Sequence, residues 1–278
     1  MTDSAKTPRR VDAKAWTTLT LAGAALGLAV AGPAAASVGI GGAAAGPEEL
    51  WLAQATEGGE AGEAGATAGG DEVVDFLMDL GLIEGHLRAG VALYRAGLAD
   101  QAASHMKHPQ DEIYDELSFH LADFGAEGFA AELTALAQSV EDGKPADVVE
   151  AALADVVTKI AKARDRANAT EAAEAQAIVA ILRQAADEYG EGVSNGKVTL
   201  LHEYQDAWGF VEVVRAQAAH MAGEDDAAEK AFGEKALAAL DEAGAALPDV
   251  SPEGKAVGAT AILHAVAAKI ELAAYKLK

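Results

Sequence analysis

Apolar residues recur along most of this chain at the three- and four-residue spacing of a helix. Leu80, Ile83, Leu87, Val91 and Tyr94 form one stripe that stops at Gly97, and Asp71, after Gly69-Gly70, is placed to cap its start. Pro109 reads as the first residue of a second helix, with Ile113, Leu117, Leu121 and Phe124 facing inward and Gly125 ending it. A helix over 127–141 follows, then an Ala-rich stretch from Pro145 through Tyr189. Beyond the break from Gly190 to Gly196 come helices near 197–221, 225–246 and 252–277. No segment sustains the period-two alternation of β-branched residues. The pattern predicts an all-α bundle of about seven or eight helices.

The N-terminal part has a different character. Lys6, Arg9, Arg10 and Lys14 precede an uncharged run from Ala15 to Pro47, whose most apolar part, Trp16 to Val30, has the length of a secretory core. Ala34 and Ala36 fit a small-residue cleavage site before Ser37, so residues 1–36 read as a signal peptide and the protein as periplasmic or secreted. The alternative is an uncleaved membrane anchor, which the Ala/Gly content disfavours. Asp12 stands where a twin-arginine signal carries an apolar residue, and this favours the general secretory route. Residues 37–70 then form a linker, and its last part, 53–70, has six glycines in eighteen positions. Such a composition buries too little apolar surface to offset ordering entropy, so a flexible tether is expected.

The helical part divides by its breaks into residues 71–190 and 191–278, and these show signs of an internal duplication. Glu84 and Gly90 match Glu203 and Gly209, His105-Met106 matches His220-Met221, and Ala151 to Ile160 matches Ala261 to Ile270. The matches imply two related halves, with Glu84 equivalent to Glu203 and His105 to His220. Separately, Gly90, Gly97 and Ala102 have the spacing of small residues in a tetratricopeptide repeat, and over about twenty residues the segment resembles that helix–turn–helix unit. The resemblance implies a tight inter-helix turn at Gly97 and a scaffold that binds a protein partner.

Charge narrows the partners. The formal net charge is −23, and removing residues 1–36, with four bases and two acids, makes it −25. A surface of that sign repels nucleic acid and anionic membrane and argues against both as partners. Cysteine is absent, so an exported fold must rest on core burial, and any metal site must use nitrogen and oxygen donors.

Those donors are concentrated. Four of the seven histidines, His86, His105, His108 and His120, lie within 35 residues. With a helix starting at Pro109, His108, Glu112, Glu116 and His120 are successive i, i+4 neighbours and form a single row. His105 is one turn before His108, while His86 and Glu84 are on the preceding helix. Glu203 and His220 supply a partial second set, with His202 or His264 as further candidates. The zincin-like His202-Glu203 pair fails, because Asp206 stands where the second histidine belongs. No nucleophile–base pair or phosphate loop is present, so catalysis is not expected.

Imidazole and carboxylate at one-turn spacing are what Zn²⁺, Cu²⁺, Ni²⁺ or iron takes as ligands, and Met106 and Met221 leave haem open. The leading expectation is a metal- or haem-binding exported protein for metal handling, delivering to a membrane transporter or another periplasmic protein. The alternative is the tetratricopeptide-like scaffold, with the histidines incidental and no metal.

Overall fold

The computed structural model describes residues 70–277, apart from Glu253, Ala256 and the side chains of Asp111 and Glu112. The signal-peptide reading of 1–36 and all but the last residue of the tether lie outside the described residues. Among the described residues nine α-helices carry the fold: α1 Glu72–Arg95, α2 Ala99–Glu112, α3 Tyr114–Asp123, α4 Ala130–Glu141, α5 Ala146–Ala167, α6 Glu171–Gly192, α7 Leu201–Ala222, α8 Ala227–Leu240 and α9 Ala261–Ala274. The all-α expectation is met. Among the described residues no helix is long and apolar enough to cross a membrane.

Helix α1 begins where the sequence placed it. The Asp71 carboxylate accepts from the amides of Val73 at 3.0 Å and Val74 at 3.4 Å, and Glu72 and Asp75 complement the first-turn dipole. Beyond that cap the helix is buried on nearly every side, with Phe76, Leu77, Leu80, Leu82, Ile83 and Leu93 fully enclosed. It is therefore a central helix, where the stripe alone describes a surface one. It ends at Gly97, whose φ of 82° lets the amide of Leu98 return to the carbonyl of Leu93 at 3.0 Å. This is the tight turn expected there.

Several expected boundaries move, the start of the last helix from 252 to Ala261 among them. Pro109 does not start a helix: α2 already runs from Ala99, and the proline lies inside its last turn. Gly90 on α1 explains why, since the missing side chain lets Ala102, His105 and Met106 approach closely, and their burial draws the segment into helix ahead of the proline. The chain then breaks at Ile113 before α3. The Ala-rich stretch is two helices, parted at Asn168, which takes the left-handed conformation (φ 47°), and restarted by Thr170, whose hydroxyl accepts from the amide of Ala173 at 3.2 Å. Between α6 and α7 a two-residue hairpin pairs β1, Val193–Ser194, with β2, Lys197–Val198, around Asn195-Gly196, both at positive φ.

The helices form two groups. In the first, α1 packs on α2, α2 on α4, α4 on α5, and α5 back on α1; in the second, α6 packs on α7, α7 on α8, α8 on α9, and α9 back on α6. The groups meet where α1 lies against α6 and α7. The break expected near residue 190 thus joins two neighbours of one group, and the division falls at Asn168–Thr170.

This order corrects part of the proposed equivalence. Ala151–Ile160 and Ala261–Ile270 do fall on the fourth helix of each group, α5 and α9. Glu84, however, lies on the first helix of its group and Glu203 on the second of its own. His105 follows Glu84 across the Gly97 turn, whereas α7 runs unbroken from Glu203 to His220.

The contact between α1 and α7 is set by glycine. A Cβ added to Gly209 would fall on the carbonyl oxygen of Gly85 and within 2.8 Å of its carbonyl carbon. The two backbones touch, and side chains one turn away on each helix are forced together. His86 follows Gly85 directly, and Asp206 is three residues before Gly209.

Candidate metal centre

Asp206 is the hub of a buried cluster between the two groups of helices. Its Oδ1 is 2.7 Å from Nδ1 of His86 on α1 and 3.0 Å from Nδ1 of His105 on α2; its Oδ2 is 2.9 Å from Nδ1 of His202 on its own helix. His86 and His105 are completely enclosed, and Asp206 and Glu203 nearly so. His108, also buried, sets its ring edge-on to both His86 and His202, with centroid separations of 4.8 and 5.6 Å. The rings of His105 and His202 lie flat on each other, 4.2 Å between centroids and 3° apart in orientation. Phe210 closes one side against His86.

Several of these polar atoms have no hydrogen-bond partner although they are sealed from solvent: Nδ1 of His105, both ring nitrogens of His202 and Oε1 of Glu203. Nδ1 of His105 and Nδ1 of His202 are each near enough to Asp206 to bond it, so direction and not distance is what fails. Leaving such groups unpaired in a protein interior costs about 1–3 kcal/mol each.

The tautomer of His105 follows from its glutamine neighbours. Nε2 of Gln205 donates to Oε1 of Gln101 at 2.7 Å, which leaves Oε1 of Gln205 to face Nε2 of His105 at 2.9 Å. In that orientation of the amides, Nε2 of His105 carries the hydrogen and donates it, and Nδ1 is left with a lone pair and no hydrogen to give to the nearby Asp206 carboxylate. Burial lowers the basicity of His105, opposing protonation despite the pull of Asp206. A lone pair that close to a buried carboxylate is unfavourable, and a cation bound by both groups would relieve it.

His202 differs. Burial lowers its pKa, but Asp206 and Glu203 outweigh this and hold the imidazole up at about 10. Asp206 is likewise opposed by burial and kept well below the usual carboxylate range by His86, His105 and His202. The arrangement therefore holds positive charge around one carboxylate. Two overlapping donor sets result, His86, His105 and Asp206, and His202, Glu203 and Asp206, each with its ligand atoms within 4.8 Å of one another.

Of the residues singled out from the sequence, His86, His105, His108 and Glu203 come together. Glu84 is buried nearby but gives its carboxylate to Arg88, 2.6 Å away on the next turn. His120 and Glu116 do not join: the break at Ile113 puts them on α3, while His105 and His108 lie on α2, so the expected row is interrupted. His120 instead approaches Asp79 at 3.7 Å, and Asp79, pushed up to about 7 by burial and then by Glu116 and Asp75, belongs to that separate patch. The side chain of Glu112 lies outside the described residues. His220 is exposed at the far end of α7 beside Glu224, seventeen residues and about 25 Å of rise from Glu203. His264 is exposed on α9.

The sequence alone marks His202 as a secondary candidate and Asp206 as the position where a zincin motif fails. Their signal was nevertheless present: His202 and Asp206 are i, i+4 on one helix face.

Comparison with known proteins bears on one group of helices. No curated protein and no solved structure matches the chain. Residues 164–277 match the model of a family described as the iron permease-associated 4-helix bundle domain. That span takes in the last turn of α5 and the closed set α6 to α9, so His202, Glu203 and Asp206 lie inside it and His86, His105 and His108 outside.

Proposed function

We propose that this protein binds a transition-metal cation, iron foremost, between its two groups of helices and serves in metal handling outside the cytoplasm, in association with a membrane permease. The observation that carries the reading is the buried Nδ1 of His105, which lies 3.0 Å from Oδ1 of Asp206 without forming a hydrogen bond to it. His202 and Glu203 add further buried polar atoms without hydrogen-bond partners. Imidazole and carboxylate without thiolate suit iron and Zn²⁺ and disfavour Cu⁺. The crowding of the rings, 4.2 to 6.3 Å between centroids, leaves no slot for a macrocycle and favours a bare ion over haem. The likeness of residues 164–277 to an iron permease-associated domain supports iron and a permease as partner.

The test is calorimetric titration of Fe²⁺, under anaerobic conditions, and of Zn²⁺ into the full chain. Wild type is expected to bind at least about 100-fold more tightly than His105→Ala, since a ligand is lost and not merely an outer contact. Because His202 holds its proton up to about pH 10 without metal, binding near pH 7 must release it. Affinity therefore rises with pH, and heats measured in buffers of different ionisation enthalpy should differ. Equal binding by wild type and variant would overturn the reading.

Export rests on the N-terminal pattern. Intact-mass measurement of the chain recovered from the extracytoplasmic fraction is expected to give a protein beginning at Ser37. A mass that retains residues 1–36 would place the protein on an anchor.

A further inference from the structure

We infer that the cluster is built for two metal ions, bridged by the carboxylate of Asp206. This rests on the metal-binding reading above and goes beyond it in stoichiometry and architecture. The deciding feature is the stacking of His105 and His202. An imidazole nitrogen binds a cation along a lone pair in the plane of its ring. Two rings lying flat on each other, 3° from parallel, keep those lone pairs in separate parallel planes. They cannot converge on one ion at bonding distance without one ring turning; His105 is enclosed and tied through Gln205, and His202, 22 % exposed, lies flat on it with the His108 ring edge-on beside it.

Asp206 is oriented to serve both. Its two oxygens are divided between the rings, Oδ1 toward His105 and Oδ2 toward His202. Each side has a further donor of its own, His86 beside Oδ1 and Glu203 beside His202. The atoms left without partners are distributed likewise, Nδ1 of His105 on one side, and Nδ1 of His202 with Oε1 of Glu203 on the other. A carboxylate spanning two ions in this way sets them about 3.5–4 Å apart. The ligands are first-row divalent cations, one in a site with two imidazoles, the other in a site with one imidazole and an additional carboxylate.

The experiment uses the metal-free full chain and Co²⁺. Equilibrium dialysis with elemental analysis should find two tightly held ions per chain, and the fully loaded protein should lose the electron paramagnetic resonance signal of isolated Co²⁺ through coupling across the bridge. Glu203→Gln, close in shape, should hold one ion and recover the isolated-ion signal. One tightly held ion in wild type would overturn the two-ion centre while leaving the metal-binding reading intact. Two ions without coupling would overturn the bridge. No tight binding would overturn the metal-binding reading itself. The wild-type stoichiometry decides even if Glu203→Gln fails to fold.

Discussion

Gly209→Ala is expected to cost about 3 kcal/mol or more of stability, at the upper end for an overpacked interior, because the new methyl group meets the backbone of Gly85 and no flexible side chain can yield. The helices α1 and α7 must separate to admit it. Urea unfolding followed by circular dichroism measures the loss, with Gly190→Ala as the counterpart. Gly190 is exposed within α6, and a Cβ there meets nothing within 4 Å. That substitution should stabilise by about 0.5–1 kcal/mol, through the ordinary preference of a helix for alanine. If the two variants unfold at the same urea concentration, the close approach of α1 and α7 is wrong. Since Asp206 is one turn from Gly209, Gly209→Ala should also weaken metal binding without touching a ligand.

Asp206→Asn is expected to have the largest effect on the metal centre, reducing affinity by at least about 1000-fold, or some 4 kcal/mol, because it removes the only donor common to both ligand sets. It also changes the metal-free protein. His202 is held at about 10 against its ordinary 6.5 by Asp206 first among the groups that raise it. A histidine whose folded pKa is raised stabilises fully below its unfolded pKa and loses that contribution as pH rises through the folded one. Wild-type stability should therefore fall, through this residue, between about pH 6.5 and pH 10, and Asp206→Asn should flatten that slope. Nuclear magnetic resonance titration of His202 should show its pKa dropping toward the ordinary range. An unmoved pKa would show that Asp206 does not hold the proton on His202. Overall stability should drop as well, by about 3–5 kcal/mol, as expected when one partner of a buried charged set is removed.

The sequence reading and the structure agree where local rules decide and part where tertiary contact does. The cap at Asp71, the turn at Gly97 and the all-helical pattern follow from local chemistry, and all three are present. His86, His105 and His108 were recognisable because three neutral donors near one turn are conspicuous. His120, Glu116 and Glu112 were drawn in by the proline, whose preference for a first helical turn suggested one unbroken row. The burial of Met106 and His105 against Gly90 overrode that preference. Asp206 escaped notice for another reason. Its meaning depends on α1 and α7 touching at Gly85 and Gly209, residues 124 apart in sequence, and no local pattern announces that two glycines will meet.

The division of donors between the two groups of helices makes a bound ion a cross-link. It joins His86 and His105 of one group to Asp206 of the other across about one hundred residues of intervening chain, adding to the packing and hydrogen bonds that already connect the groups. The unfolded chain offers no such preformed set, so the free energy of binding becomes free energy of folding. At a free-ion concentration one hundred times the dissociation constant, a single site adds about 2.7 kcal/mol. Loading and unloading of the proposed centre would then tighten and loosen the packing of the two groups of helices.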